Sequence, residues 1–149
     1  MEFEIQRLID KRLSCGLSQH MHACSVFSYR VTKNITGLNS EDEYYPGCCY
    51  STHAEMDAIQ KLKRKNREGN RIILVNILII RISKTGILNC SKPCLNCIKH
   101  LQDLPKYGYR VKYVYYSDEH GNIVRKKLDE LARNSTYVTY RFLKKNIQK

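Results

Sequence analysis

Two short stretches of the chain hold side chains that could share one metal ion. His53-Ala54-Glu55 offers an imidazole and, two residues on, a carboxylate, while Pro93-Cys94-Leu95-Asn96-Cys97 offers two thiols one helical turn apart. One imidazole and two thiolates are ligands that Zn2+ takes. Three protein ligands leave a fourth tetrahedral position for water, the pattern of a catalytic rather than a structural zinc. Water at such a site ionises near pH ~7. Glu55 is then placed to take a proton and hand it to the reacting substrate, a role typically worth about 10²–10⁴ in rate. Two blander readings stay open: a structural zinc with Cys90 as fourth ligand, and two buried thiols beside a surface histidine.

This chemistry needs two helix starts. Ser51 or Thr52 can cap a helix on which Glu55, Ala58, Ile59 and Leu62 fall on one face, with lysines opposite and Gly69-Asn70 as its stop. A second helix is expected to start near Pro93 and to be stopped by Pro105, with Cys94, Cys97, Ile98 and Leu101 on one face. The positive end of a helix favours the thiolate that a metal requires. Between them, Ile72 to Ile82 is rich in β-branched residues and reads as a strand buried on both sides. Upstream, Ile5, Leu8, Ile9 and Leu13 mark a helix ended by Gly16. His22 to Tyr29 reads as a strand, and a second strand ends at Thr36-Gly37-Leu38-Asn39. Ser40 to Thr52 reads as a loop, with Glu41, Asp42 and Glu43 and a Pro46-Gly47 turn. Downstream come a strand over Val111 to Tyr116, a turn, a short strand at Ile123-Val124 and a short helix over Leu128 to Ala132. Alternating strands and helices predict an α/β layered fold. No repeat or low-complexity linker interrupts the sequence, so one domain over residues 1–149 is expected.

Composition bounds the partners. The chain is 42% hydrophobic and 27% charged, ordinary for a globular protein. Its longest apolar run, Ile72 to Ile80, is too short to cross a bilayer and contains Asn76, so no membrane partner is expected. The first residues lack the basic start and apolar stretch of a secretory leader, which predicts an intracellular, cytoplasmic protein. Seven unevenly spaced cysteines then point to metal ligation and reduced thiols rather than a disulfide framework. The net charge of +12 fits a nucleic acid or a phosphorylated substrate, or simply a soluble surface. Its cations cluster at Lys61, Lys63, Arg64, Lys65 and Arg67, at Arg125, Lys126 and Lys127, and at Lys144, Lys145 and Lys149. Tyr113, Tyr115 and Tyr116 read as packing or oligomer contacts.

His53-Ala54-Glu55-Met56-Asp57-Ala58-Ile59 with Pro93-Cys94-Leu95-Asn96-Cys97 resembles the cytidine deaminase-like superfamily, whose signature is H-x-E with P-C-x-x-C. The resemblance covers roughly residues 20 to 127, in element order as well as motifs. It implies a three-layer α-β-α fold around a mixed five-stranded sheet and zinc on His53, Cys94 and Cys97. The implied activity is hydrolytic deamination of a cytosine- or adenine-type base by Glu55, in a homo-oligomer. Gly37-Leu38-Asn39 looks like the family's Gly-x-Asn, which makes Asn39 a substrate-binding candidate beside Ala54 and Lys92. Lys92 departs from the glutamate that precedes the Pro-Cys pair in tRNA adenosine deaminases, and Asn96 from their Cys-x-Met-Cys form. A lysine there suits the phosphate of a nucleotide or of a nucleic acid, or simply faces water. A cytidine or deoxycytidine nucleotide is the favoured substrate, with a base in nucleic acid second, because the obvious extra segments of a dedicated polynucleotide enzyme are not seen. The other reading is a catalytically idle deaminase-fold protein that binds nucleic acid or builds a particle. The Lys-, Ile-, Asn- and Tyr-heavy composition, suggestive of an AT-rich genome such as a large DNA virus, would place it in a host cell or virion. Some relatives carry a second zinc, for which Cys48, Cys49, His20 and His22 are the available ligands.

Overall fold

A computed structural model describes residues 1–17, 21–28, 31–45, 48–65 and 71–134; for 31–33, 40–45, 48–52 and 134 it describes the backbone alone. In chain order the elements are α1 (Glu2–Ser14), β1 (Met21–Ser28), β2 (Val31–Leu38), β3 (Ser40–Tyr45), β4 (Cys48–Thr52), α2 (Ala54–Lys65) and β5 (Ile73–Ile82). β6 (Leu88–Asn89), α3 (Leu95–Gln102), a 3-10 turn (Leu104–Tyr107), β7 (Tyr109–Ser117), β8 (Ile123–Lys127) and α4 (Leu128–Asn134) follow.

The main sheet runs β2-β1-β5-β7-β8, with β6 pairing on β5. It is mixed: β5 and β7 are parallel, and the other pairs antiparallel. The parallel pair follows from the connection between them, because α3 carries the chain back across the sheet. Side chains of β5 alternate between two cores, which is why its sequence is apolar almost throughout. Val75, Ile77 and Ile79 meet Ala58, Ile59 and Leu62 of α2, Ile98 and Leu101 of α3, and Leu128 and Leu131 of α4. Leu78, Ile80 and Ile82 meet Leu8 and Ile9 of α1. Three α-β-α layers result, as expected. A fully buried leucine or isoleucine contributes about 1.5–3 kcal/mol, so β5, with β1 beside it, joins the two halves of the core.

Four details differ from the sequence reading. The sheet has a sixth strand, the two-residue β6. It forms because the Ser83–Ile87 turn, closed by Ser83 N–H to the Ile87 carbonyl at 2.9 Å, folds Leu88 back onto β5 and into the α1-side core. Ser40 to Thr52 is not a loop: β3 and β4 pair as an antiparallel ribbon. Its tyrosines, cysteines and Thr52 suit a pleated surface, and this outweighs the acidic run. Helix α3 begins at Leu95 with Cys94 as its N-cap, so Pro93 lies outside it. Pro105 sits inside the 3-10 turn, three residues beyond the end of α3, rather than stopping it. The expected Gly69-Asn70 stop, the Pro46-Gly47 turn, Tyr29 and the basic residues Arg67, Lys144, Lys145 and Lys149 lie outside the described residues.

Candidate functional site

The N-termini of α2 and α3 bring the two motifs together. The His53 carbonyl accepts the Asp57 N–H at 3.1 Å, so His53 closes the first turn of α2 from just outside it. Cys94 does the same for α3, with extended backbone and its carbonyl accepting the Ile98 N–H at 3.0 Å. Glu55 and Cys97 lie inside the first turns. The chain entering α3 is pinned by a buried pair of serines that the sequence reading passed over. Ser91 Oγ donates to the Ile79 carbonyl at 2.7 Å, and the Ser91 N–H to the Ser117 carbonyl at 2.8 Å. Ser117 Oγ donates to the Asn89 carbonyl, and the two hydroxyl oxygens lie 2.7 Å apart. The one signal in the sequence was a serine three residues before Cys94 in a segment bound for the interior.

His53, Cys94 and Cys97 converge. Nδ1 of His53 lies 3.3 Å from Cys97 Sγ and 3.7 Å from Cys94 Sγ, and all three ligand atoms lie within 4.8 Å of one another. Zinc with Zn–S of about 2.3 Å and Zn–N of about 2.0–2.1 Å in tetrahedral geometry sets S···N edges of about 3.5 Å. The donor set and its spacing therefore fit that ion. Cys90 is exposed and outside the cluster, so among the described residues the group has three members. Glu55 is 5% exposed, with Oε2 3.2 Å from Cys97 Sγ and 3.9 Å from His53 Nδ1. The His53 side chain is 35% exposed and gives the cluster its open side.

Electrostatics follow this crowding. The hydrogen bond from the Cys97 thiol, opposed by burial and helped by His53, pulls Cys94 down to about 4. Cys97 moves up for the reciprocal reason, with burial and Glu55 adding to it. Burial pushes the Glu55 carboxyl up, against the Cys97 hydrogen bond and His53. Cys24 of β1, fully buried under the start of α2, is raised by burial and then by Glu55 and Asp57.

The remaining sequence candidates occupy distinct settings. Ala54 is buried at the first position of α2. Lys92 is exposed between the buried Ser91 and Pro93. Asn39 follows the end of β2, where its Oδ1 accepts the His22 N–H at 2.8 Å and Arg12 Nε–H at 2.9 Å. That oxygen closes the strand end onto α1. The same strand end is fastened to α2 by Asp57, which accepts the Leu38 N–H at 3.0 Å, and by Lys61, which donates to the Thr36 carbonyl at 2.7 Å. For a second metal, His20 lies outside the described residues, as do the side chains of Cys48 and Cys49.

No protein-family model matches the sequence, and no curated protein matches it. Solved structures do. The dCMP deaminase of cyanophage S-TIM5, solved with dCMP and dUMP, superposes with a TM-score of 0.52 at 17% identity, over 79% of this chain and 80% of that one. The cytidine deaminase of Burkholderia pseudomallei gives 0.52 at 15%, over 87% and 97%. That of Mycobacterium leprae gives 0.50 at 18%, over 85% and 92%. The chain shares the fold of these cytidine and dCMP deaminases.

Proposed function

We propose that the chain is a zinc-dependent hydrolytic deaminase whose substrate is a cytosine-type base, carried as a cytidine or deoxycytidine nucleotide. One observation carries this reading: a buried carboxylate, Glu55, has Oε2 within 3.2 Å of one thiol and 3.9 Å of the imidazole of a three-member zinc-type cluster. A purely structural zinc gains nothing from a buried acid beside it. His53, Cys94 and Cys97 would hold the ion. When bound, zinc supplies Lewis-acid activation of water at neutral pH.

The chain's own residues do the rest. Glu55 Oε2 would take one proton from the attacking water and pass it to the ring nitrogen, then take the remaining hydroxyl proton and pass it to the amine, so that the C–N bond breaks, the carbonyl forms and ammonia leaves. Its burial keeps that proton from exchanging with bulk solvent. Ala54, buried at the helix start, would line the site beside it. Lys92, exposed one residue before Pro93, would meet the substrate phosphate. Asn39 contributes through the strand end that it braces. The cyanophage dCMP deaminase, whose structure holds dCMP and dUMP, supports the nucleotide form of the substrate.

The test is ammonia release from the zinc-loaded protein over free bases, nucleosides, nucleotides, single-stranded DNA and tRNA. Turnover is expected on a cytidine or deoxycytidine nucleotide. Glu55→Gln should lower it by about 10²–10⁴ with zinc content unchanged. No turnover on any substrate, with zinc bound, would replace this reading by that of an idle deaminase fold.

A further inference from the structure

The sheet face opposite α2 and α3 is only partly covered by α1 among the described residues. Helix α1 packs over Met21, Ala23, Leu78, Ile80 and Ile82. Pair register fixes what shares that face beyond it. Tyr115 sits opposite Leu78, which faces α1, and also opposite Arg125. Lys127 sits opposite Tyr113, and Arg110 opposite Leu74, itself 53% exposed.

A bulge shapes this area. Register shifts between Val75 and Ile77 of β5, which face Val111 and Val114 of β7, so Lys112 and Tyr113 together oppose Asn76. The Asn76 side chain receives the Tyr113 N–H at 3.3 Å. A bulge re-aims side chains, and here two successive residues emerge on one face. The Tyr113 ring carries Arg125 at 4.7 Å and Lys112 Nζ at 5.3 Å from its centroid. It meets Tyr115 edge-on at 6.5 Å, and Tyr115 meets Phe27 at 6.0 Å. Strands β5, β7 and β8 contain no acidic residue. Glu4, on the neighbouring helix, is already held by Arg7 and Ser25.

We propose that this face, built on Arg110, Lys112, Tyr113, Tyr115, Arg125 and Lys127, binds single-stranded nucleic acid. Tyr113 and Tyr115 are half-buried, Tyr115 against the α1-side core. Cations bordering aromatic rings that keep part of their surface in solvent on a sheet offer phosphate contacts and stacking together. Charge argues against the other occupants. A second copy docked here by a two-fold axis would set these cations against themselves. Residues 135–149 contain Arg141, Lys144, Lys145 and Lys149 and no acid, so they are repelled too. A duplex keeps its bases stacked and leaves the rings unused. The surface lies across the sheet from the zinc-type cluster, so the proposal does not depend on the deaminase reading.

The test is fluorescence anisotropy of a labelled oligodeoxythymidine titrated with the full chain at several salt concentrations. Four phosphate contacts at about 0.7 each give a slope of log affinity on log salt of about −2.8. Lys112→Gln/Arg125→Gln/Lys127→Gln should flatten it to about −0.7. Arg64→Gln/Lys65→Gln, on the exposed side of α2, should leave it unchanged. Tyr113→Leu should weaken binding roughly 5- to 150-fold, and Tyr113→Phe should bind as the wild type does. Any of three results would overturn the proposal: a wild-type slope in the triple variant, an equal loss in the α2 control, or a changed oligomeric state in the triple variant with unaltered DNA affinity.

Discussion

Gly37 shows how little freedom the site has at the scale of single residues. A Cβ built on it would lie 2.2 Å from the Ala54 carbonyl oxygen and 2.6 Å from the Ala58 nitrogen, both backbone atoms of α2. Backbone cannot swing aside as a side chain can, so Gly37→Ala must push the helix that carries Glu55 and directly follows His53. Overpacking of this kind costs about 1–3 kcal/mol, read as a lower midpoint in chemical denaturation. Zinc affinity should fall with it, since the imidazole moves relative to two thiols that do not. An unchanged midpoint and affinity would mean that β2 and α2 have slack between them. At this scale the sequence was most readable: His53, Cys94 and Cys97 were identifiable by type and spacing, and they meet. Asn39 was singled out through the resemblance alone, and no spacing could show that Arg12, far upstream, reaches its oxygen.

Elements position those residues through polar contacts that periodicity does not reveal. Ser91 and Ser117 are buried, and both bind backbone of neighbouring strands, fixing where α3 starts. Ser91→Ala removes the hydroxyl that the Ser117 N–H donates to at 2.9 Å, stranding that group. An unsatisfied buried partner costs about 1–3 kcal/mol, and the loss should be sub-additive with Ser117→Ala in a double-mutant cycle. Additive losses would show two independent contacts instead. Helix α1 is docked in a similar way, because Glu4 accepts hydrogen bonds from Arg7 and Ser25. Burial alone would raise the Glu4 carboxyl, but these donors outweigh it and hold it below its ordinary value. A lowered folded value contributes stability above the unfolded pKa of about 4.3, lost as pH falls through the folded one. The wild type should therefore exceed Glu4→Gln in stability at neutral pH and converge on it once pH has fallen through the lowered folded value, as followed by urea titrations. A gap that persists in acid would assign the effect to packing. Strong apolar periods made α1, α2 and β5 legible. The β3–β4 ribbon and the β7 bulge were not, since a pairing partner and an extra residue leave no periodic trace.

For the whole molecule, the consequence of the site is a cross-link between distant parts of the chain. His53 comes before β5 and the two cysteines after it, so an ion held by all three ties α2 to α3 over the same sheet face. A ligand that binds only the folded chain stabilises it by RT ln(1 + [L]/Kd), about 4 kcal/mol at a thousandfold excess over Kd. For a chain of this size each kcal/mol moves the midpoint by about 2–4 °C, so removing the metal should lower Tm by roughly 8–16 °C. Differential scanning calorimetry with and without a chelator reads this directly. Cys97→Ser carries its own control: its Tm should start low and ignore the chelator, because a hydroxyl is a poor substitute for thiolate at zinc. Equal chelator shifts in the variant and the wild type would place the stabilising ion elsewhere. The +12 net charge adds a second handle, because self-repulsion is screened by salt. Raising ionic strength should lift the apo and zinc-loaded midpoints together, leaving the chelator difference intact. If salt abolished that difference, the metal would be relieving general charge repulsion rather than joining two helix ends.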